Sequence, residues 1–294
     1  MDNILIADSG STKTDWAFGQ TIIKTQGINP FHQDDEAILS ILRDELLPQL
    51  TPLLFPPPTG GVRGGLLTSS PVGEGSGVRL SIHFYGAGVR PELEDKMERL
   101  LRQVFPQAET IEAKSDMLGA ARALCHDTEG LACILGTGAN SCLYDGRQIV
   151  ANISPLGYIL GDEGSGAVLG RLFLNALYKK RLYAGAREEF EGHFGLTMAD
   201  VIERVYRQPM ANRWLASLSA YIHQHLDQST VHNLVVKNFR DFIRHNIQPY
   251  QRPDLPINAV GSIAWYYQQQ LAEAATAEGY AIGTILRSPI DGLI

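Results

Sequence analysis

Cysteine and basic residues are scarce in this sequence. Three cysteines, Cys125, Cys133 and Cys142, occur in 294 residues, and no two of them have the two-residue spacing of a zinc or redox motif. The 25 Lys and Arg residues are outnumbered by 32 Asp and Glu residues, which gives a net charge of −7. This balance disfavours nucleic acid or an anionic membrane as a partner, because both bind clustered cations. The small cysteine count predicts a reduced, cytoplasmic protein.

Long apolar runs and hydrolase motifs are also missing. No run approaches the roughly 20 residues of a membrane span, and the start Met1-Asp2-Asn3 does not have the pattern of a signal peptide. His223 and His225 form the only close histidine pair in the sequence, and no cysteine or carboxylate at ligand spacing completes a zinc site with them. A serine hydrolase is disfavoured because no serine lies in a Gly-x-Ser-x-Gly elbow.

The sequence is instead rich in glycine, with 29 residues, and it repeats one pattern of predicted strands. Three short apolar runs separated by polar turns occupy residues 3–23, and a similar unit occupies residues 131–151. At roughly 100 to 200 residues per domain, the length suits two domains. We therefore expect an α/β protein whose domains are residues 1–117 and 118–294, the second with a large helical insertion.

Periodicity and end signals predict the other elements. Asp34 and Asp35 precede a helix that we expect Pro48 to stop, and Ser115 is expected to cap a helix that starts at Asp116. Strands are predicted near residues 81–85, 110–112, 131–135, 141–144, 148–151 and 257–260, and helices near residues 91–104, 164–181, 198–206 and 263–278. Residues 212–246 are expected to hold two or more helices, with polar breaks near Asp227.

Residues 51–79 are rich in Pro, Gly and Ser. Such a segment can bury little apolar surface, so it is interpreted as a surface loop within the first domain. Its glycines do not resemble a dinucleotide motif, because no strand-to-helix context surrounds them.

Two turns concentrate residues that suit phosphate. The first turn, residues 8–15, reads Asp-Ser-Gly-Ser-Thr-Lys-Thr-Asp, and the second turn, residues 136–141, reads Gly-Thr-Gly-Ala-Asn-Ser. Converging backbone N–H groups and hydroxyls suit phosphate oxygens, although an ordinary polar hairpin explains either turn alone. Because both turns stand at the same place in a duplicated pattern, we predict that they bind a triphosphate together. The expected contacts are Asp8, Gly10, Ser11, Thr12, Lys13, Thr14, Gly136, Thr137 and Gly138, and Asp8 is expected to hold Mg²⁺ directly or through water.

Together with Gly261-Ser262, these turns resemble the two phosphate motifs and the adenosine motif of the actin-like ATPase superfamily, which includes sugar kinases and Hsp70. Within it, the segment Gly-Tyr-Ile-Leu-Gly-Asp-Glu-Gly-Ser at residues 157–165, and Asp116 in Ser-Asp-Met-Leu-Gly-Ala, resemble the N-acetylglucosamine kinases and their BadF/BadG/BcrA/BcrD-type ATPase relatives. The resemblance covers nearly the whole chain apart from residues 51–79. It implies two actin-like, ribonuclease H-like domains with a nucleotide cleft between them, ATP and Mg²⁺ as ligands, and a nucleotide contact at Gly261 and Ser262.

The resemblance also implies a catalytic residue and a sugar site. Asp116 is expected to orient the acceptor hydroxyl and accept its proton, although an acid is favoured in the first turn of any helix. The expected sugar contacts are Asn29, Asp116, Gly157, Tyr158 and Asp162. Asn29 lies where related sugar kinases carry a Gly-x-Asn segment, although Asn before Pro is also a common turn opener. Tyr158 would stack on the pyranose ring but is equally compatible with the core. Glu163 receives no assignment.

The implied function is an ATP-dependent kinase that phosphorylates a hydroxyl of an amino sugar, and N-acetylglucosamine is the acceptor that we expect first. Two alternatives stay open. The chain could be an ATPase that activates a partner enzyme, as BadF/BadG-type proteins do with a cysteine-held iron–sulfur cluster, or a sensor that binds sugar or nucleotide without turnover. A homodimer is compatible with this superfamily, although nothing in the sequence identifies an interface.

Overall fold

The structure is a computed structural model, and the residues it describes are 3–10, 12–55 and 79–294. The chain divides into two compact units, a first unit of Met1–Gly119 with Leu293–Ile294, and a second unit of Ala120–Gly292. Each unit has a five-stranded mixed sheet and a hydrophobic core of its own. The expected α/β fold class is confirmed.

The sheet of the first unit contains β1 (Asn3–Ser9), β2 (Lys13–Phe18), β3 (Thr21–Gln26), β4 (Leu80–Gly86) and β5 (Thr110–Ser115). β1, β2 and β3 pair antiparallel, β4 lies parallel to β1, and β5 lies parallel to β4, which gives the order β3-β2-β1-β4-β5. Leu5, Ala7 and Ser9 are buried on β1, as the two-residue period of a strand requires. The carboxyl ends of β1, β4 and β5, at Ser9, Gly86 and Ser115, meet at one edge of the sheet.

The helices of the first unit are α1 (Asp35–Ser40), a π-helical segment (Ile41–Leu46), α2 (Leu47–Leu54), α3 (Pro91–Val104) and the start of α4 (Asp116–Cys125). Asp34 caps α1 by accepting the N–H of Ala37 at 2.9 Å, as expected. Met97, Leu100 and Leu101 of α3 are buried in the core of this unit, since they recur at helical spacing.

The prediction that Pro48 stops the helix is wrong, and the loop predicted at residues 51–79 does not begin at Thr51. Pro48 is the second residue of α2, which follows the π-helical segment directly and continues to Leu54. Leu50 and Leu54 are buried, so the apolar stripe continues beyond the proline and sustains the helix. Residues 56–78 of the predicted loop lie outside the described residues.

The sheet of the second unit repeats the first. It contains β6 (Glu129–Leu135), β7 (Ala139–Asp145), β8 (Ile149–Ile153), β9 (Ile257–Val260) and β10 (Ile282–Leu286), in the order β10-β9-β6-β7-β8. β6, β7 and β8 pair antiparallel, whereas β9 is parallel to β6 and β10 to β9. Strand for strand, this is the order and direction of the first sheet, so the predicted duplication of architecture is confirmed.

Between β8 and β9 the second unit carries the predicted helical insertion. Its elements are α5 (Gly157–Leu160), α6 (Gly166–Tyr178), α7 (Ala186–Phe194), α8 (Met198–Tyr206), α9 (Ala211–Ser217), α10 (Ser219–Gln224), α11 (Ser229–Phe242), a π-helical segment (Ile243–Ile247) and a 3₁₀ turn (Gln248–Tyr250). After β9 follow α12 (Ser262–Tyr266) and α13 (Gln268–Ala277), and after β10 follows α14 (Ile290–Leu293). None of the helices in the described ranges is long and apolar enough to cross a membrane.

The end of the chain differs from the prediction. The single helix predicted at residues 263–278 is interrupted at Tyr267, whose buried ring turns inward and whose hydroxyl donates to the carbonyl of Ser219 at 2.5 Å. β10 was not predicted, because its pairing shifts register between Ile282 and Ile285 and the alternation of its residues is irregular.

Candidate functional site

The first turn closes the hairpin between β1 and β2. The N–H of Gly10 donates to the carbonyl of Lys13 at 3.0 Å, and Gly10, Thr12 and Lys13 are exposed. A tip of this kind offers backbone N–H groups, a hydroxyl and an ammonium to an anion. Ser11, the other predicted phosphate contact at the tip, lies outside the described residues.

Thr14, also predicted to contact phosphate, has its hydroxyl inside the protein. It is fully buried opposite Ser9, the two hydroxyl groups share a hydrogen bond of 2.6 Å, and the hydroxyl oxygen of Thr14 also lies 3.1 Å from the carbonyl oxygen of Gln26. These contacts give the buried hydroxyl its hydrogen-bond partners, and burial of a hydroxyl without partners would cost free energy. The hydroxyl of Thr14 therefore supports the turn from beneath.

The carboxylates of Asp15 and Asp116 act on that of Asp8 beside the first turn. Burial is the largest cause that raises the pKa of Asp8 to about 7; the negative charges of Asp116 and Asp15 act in the same direction, and Lys13 opposes them. The Nζ atom of Lys13 lies 2.5 Å from Oδ2 of Asp15. Oδ1 of Asp15 is buried and has no hydrogen-bond partner among the residues that the structure describes. Lys13 thus balances only part of this negative charge.

This excess of negative charge fits a divalent cation. Mg²⁺ prefers carboxylate oxygens and keeps much of its hydration, and the unpartnered oxygen of Asp15 carries charge that a nearby cation would offset through space. Within residues 3–10, 12–55 and 79–294, no three histidine, cysteine, aspartate or glutamate side chains are grouped so that they could hold a metal ion. Asp8 is the residue that would hold Mg²⁺ here, together with water.

Asp116 begins α4 directly after β5. Ser115 caps the helix by accepting the N–H of Leu118 at 3.3 Å, as expected, and the carboxylate of Asp116 accepts the N–H of Met117 at 2.9 Å. Burial raises the pKa of Asp116, although its backbone hydrogen bonds act in the opposite direction. A carboxylate with a raised pKa takes up a proton more readily, which suits a general base.

The first turn of α4 packs closely on β4 because residue 119 is glycine. A Cβ atom at Gly119 would lie 2.6 Å from Cγ of the buried Tyr85 on β4, and van der Waals repulsion forbids that distance. Glycine at this position lets the helix start beside the edge where the strands end. Asp116 is thereby held near Asp8.

Asn29, the predicted sugar contact of the first unit, is buried next to the first turn. Its side-chain oxygen accepts the N–H of Phe31 at 3.0 Å, and its own N–H donates to Oε1 of Gln33 at 2.7 Å. The hydroxyl of Ser9 donates to the carbonyl of Ile28 at 2.9 Å and accepts the N–H of Ile28 at 3.0 Å. The segment that carries Asn29 is therefore fixed to the first turn.

The second turn is fixed to the start of α6. The N–H of Gly136 donates to the carbonyl of Gly138 at 2.9 Å, which closes the turn. The N–H groups of Gly166 and Ala167 donate to the carbonyls of Gly136 and Thr137 at 2.8 and 3.1 Å. Because α6 occupies these carbonyls, the exposed Thr137 stands at the tip of a turn whose backbone is already held.

Asp162 is the last residue of a short loop, residues 155–162, that bends sharply. Leu156 and Asp162 have φ of 65° and 56°, values that side chains other than glycine rarely adopt. The N–H of Asp162 donates to the carbonyl of Pro155 at 2.9 Å and closes the loop. The backbone N–H groups of Gly157 and Ala139 lower the pKa of its carboxyl group, but burial outweighs them and raises that pKa to about 6.

The side chains of the 155–162 loop divide between core and surface. Tyr158 packs against the hydrophobic core of the second unit, whereas Leu156, Ile159 and Leu160 are 62%, 69% and 76% exposed. Stacking of Tyr158 on a sugar ring remains a prediction. In this structure its ring contacts the protein.

Gly261 and Ser262 follow β9, at the carboxyl edge of the second sheet. Gly261 has φ of 117°, and a Cβ there would lie 2.5 Å from the carbonyl oxygen of Leu135, so only glycine fits. Its N–H donates to the carbonyl of Leu286 at 3.1 Å. The exposed Ser262 begins α12 at this edge, where ligands of α/β sheets commonly bind.

No family model and no curated protein matches the chain. Among solved structures, it is similar to a proposed N-acetylglucosamine kinase from Porphyromonas gingivalis, with 47% identity, a TM-score of 0.88, and coverage of 99% of this chain and 96% of that one. This chain belongs to the N-acetylglucosamine kinase-like family of actin-like ATPases.

Two more distant structures support the fold of this actin-like ATPase. A proposed N-acetylglucosamine kinase from Chromobacterium violaceum is 14% identical with a TM-score of 0.64, and coverage is 99% of this chain and 97% of that one. A non-polymerising mutant of MamK bound to AMPPNP is 11% identical with a TM-score of 0.51 and the same coverage.

The predicted site residues of this family member fall into two groups, one in each unit. The first unit contains Asp8, Gly10, Thr12, Lys13, Thr14, Asn29 and Asp116. The second contains Gly136, Thr137, Gly138, Gly157, Tyr158, Asp162, Gly261 and Ser262. Their roles toward ligands remain predictions.

Sequence reasoning missed Asn238, which supports the Gly-Asp-Glu-Gly-Ser segment. This buried residue of α11 accepts the N–H of Gly164 at 3.0 Å and donates to the carbonyl of Ser165 at 3.3 Å. A signal was available, because Asn238 is a polar residue on the apolar face that carries Val235 and Phe242. Buried amides on such a face require partners.

Proposed function

We propose that this chain is an ATP-dependent kinase that transfers the γ-phosphoryl group to a hydroxyl of an amino sugar, with N-acetylglucosamine as the first candidate. The observation that carries the proposal is Asp116, a carboxylate of raised pKa beside Asp8 at the carboxyl edge of the first sheet. Membership of the N-acetylglucosamine kinase-like family supports it.

In the proposed reaction, Asp116 orients the acceptor hydroxyl and takes its proton as the sugar oxygen bonds to the γ-phosphorus. The bond from the γ-phosphorus to the β–γ bridging oxygen breaks, and ADP leaves with that electron pair. The proton on Asp116 then returns to solvent. Positioning and charge stabilisation carry most of the catalysis in such transfers.

We assign the phosphates of ATP to the exposed groups of both turns, namely Gly10, Thr12, Lys13, Gly136, Thr137 and Gly138. Gly261 and Ser262 are assigned to the nucleoside. Asp8 is the residue that would hold Mg²⁺, which when bound supplies positive charge to the phosphate oxygens. The negative charges around Asp8 favour retention of such a cation.

The sugar is assigned to Asn29, Asp116, Gly157, Tyr158 and Asp162. Asn29 and Asp162 are both fixed by backbone hydrogen bonds, so their positions need little ordering when a sugar binds. Which amino sugar is preferred depends on contacts made within loops such as residues 155–162.

The burial of all three cysteines disfavours an iron–sulfur activator. Cys125, Cys133 and Cys142 are buried free thiols, and burial raises the pKa of each. Cluster ligands must be thiolates, and an intersubunit cluster requires cysteines at a surface. The kinase is therefore the function that we propose.

The experiment is a coupled assay of ADP release with Mg·ATP and a panel of hexoses and hexosamines. We expect release that depends on N-acetylglucosamine and that Asp116→Asn abolishes. If no sugar stimulates release by the purified wild-type protein, the kinase assignment fails. ADP release without any sugar, dependent on an added protein fraction, would favour the activator instead.

A further inference from the structure

We propose that Asp162 is a positioning residue that connects the second turn to the 155–162 loop, so that nucleotide binding at the turn orders the loop that receives the sugar. This inference rests on the proposed function, since it names the turn as a phosphate site and the loop as a sugar site. It gives Asp162 a task beyond contact with the sugar.

The connection consists of one carboxylate and two backbone donors. A Cβ added at Gly138 would lie 3.0 Å from Oδ2 of Asp162, so the second turn and the carboxylate are in close contact. The backbone N–H groups of Ala139, which follows the second turn's glycines, and of Gly157, which starts α5, both stabilise the charge of this carboxylate and lower its pKa. A shift of either backbone segment removes an N–H group that stabilises the carboxylate.

The loop has few other attachments on its outer side. Leu156, Ile159 and Leu160 are exposed, and the backbone hydrogen bonds of the loop join Gly161 to Gly157 and Asp162 to Pro155. A segment with little buried surface opens at a low free-energy cost. The position of the loop therefore depends on the carboxylate of Asp162 and on the packing of Tyr158.

The residues that follow Asp162 in the sequence are held by other parts of the second unit. The next residues, Gly164 and Ser165, bond to the buried Asn238 of α11. Glu163 contacts Nδ1 of His245 at 3.1 Å and Nδ2 of Asn246 at 3.4 Å. With its backbone fixed, the carboxylate transmits a displacement of the turn to the loop instead of moving away from it.

Amide hydrogen exchange, followed by mass spectrometry with and without Mg·AMPPNP, tests this proposal without any sugar or turnover. The variants are Asp162→Asn, which tolerates the left-handed backbone but has one acceptor oxygen for two donors, and Asp227→Asn, the same substitution at an exposed position between α10 and α11, as the control. In the wild type and Asp227→Asn, we expect AMPPNP to slow exchange at residues 136–140 and also at residues 155–161. In Asp162→Asn, we expect slowing at residues 136–140 alone, because the loop has lost its connection.

A second measurement separates positioning from simple sugar contact. A residue that only contacts the sugar leaves the Kd for AMPPNP unchanged when it is substituted, whereas our proposal expects Asp162→Asn to weaken AMPPNP binding by about tenfold, the equivalent of one charge-assisted bond. An unchanged Kd, a loop that still responds in Asp162→Asn, or a wild-type loop that does not respond would each overturn the proposal. A failed sugar panel would reject the kinase function, yet it would leave these nucleotide-only results to be judged separately.

Discussion

The negative charge of Asp116 adds to the burial that holds the pKa of Asp8 at about 7. The two carboxylates belong to different elements, the end of β1 and the start of α4, and parallel strands bring those elements to one edge. Neighbouring like charges make the site a strong attractor for cations. The proposed proton acceptance by Asp116 and the proposed cation binding by Asp8 both depend on this pairing.

Asp116→Asn is expected to reduce kcat by about 10²- to 10⁴-fold, the usual contribution of a general base. The asparagine keeps the shape and the contact with Met117 but cannot take the proton. Steady-state kinetics with saturating ATP and sugar measure the loss. Asp95→Asn, at an exposed position on α3, is the control and should match the wild type.

Binding distinguishes this prediction from misfolding. The affinity for Mg·AMPPNP, measured by titration calorimetry, should persist in Asp116→Asn. Full activity in this variant would remove Asp116 from the catalytic role.

Gly119→Ala is expected to destabilise the first unit and to lower kcat at the same time. The new Cβ would meet the ring of Tyr85 at 2.6 Å, and overpacking of this kind costs about 1 to 3 kcal/mol. Urea unfolding gives the stability change, and kinetics below the transition give the loss of kcat. Gly119→Ala with Tyr85→Leu should recover part of both, whereas no recovery would mean that this contact does not position α4.

Lys13→Met is expected to raise KM for ATP by about 10-fold or more, since a charge-assisted contact with phosphate is worth about 1.5 to 3 kcal/mol. It should also lower stability, because Asp15 is buried and loses its ion pair at 2.5 Å. Lys179→Met, at an exposed site in the second unit, is the comparison. Equal KM values for both variants would contradict a phosphate role for Lys13.

Asp162→Asn is expected to change how stability depends on pH. Burial raises the pKa of Asp162 from 3.8 to about 6, so the native state resists ionisation and the wild type loses stability as pH rises from about 4 through 6. Below that window the carboxyl is protonated in both folded and unfolded states, and the loss disappears. The asparagine does not ionise. The unfolding free energy of the wild type should therefore fall by about 1 to 2 kcal/mol relative to that of Asp162→Asn across this pH range, after allowance for partial exposure.

Urea unfolding of both proteins at several pH values between 4 and 8 checks this sign. A difference in unfolding free energy that stays constant with pH would mean that Asp162 ionises in the native state as it does in the unfolded chain.

The duplicated sheets and the positions of the two turns were predictable, because polar turns between short apolar runs leave a local signature. Ser115 as a cap was predictable for the same reason. The continuation of the helix through Pro48 was not, since it depends on burial of Leu50 and Leu54 against a core assembled from distant residues. The spacing of apolar residues near a proline does not show whether those residues will be buried.

Residues that support the site were harder to find than residues at its surface. Thr14 stands in a hydroxyl-rich turn, but strand alternation places it opposite Ser9 in the interior. The backbone N–H of Ala139 lowers the pKa of Asp162, and any residue type except proline could supply that donor. Contacts between backbone groups that are far apart in the sequence do not require particular residue types. They can therefore be recognised in the structure but not in the sequence.

Identification of the reaction product tests the central claim most directly. Purified protein, Mg·ATP and N-acetylglucosamine would be incubated together and the sugar fraction examined by mass spectrometry and phosphorus NMR, with Asp116→Asn in parallel. The account predicts a phosphate monoester of N-acetylglucosamine, formed in equal amount to ADP by the wild type and absent from the variant. ADP without a phosphorylated sugar, or the same ester from Asp116→Asn at the wild-type rate, would contradict it.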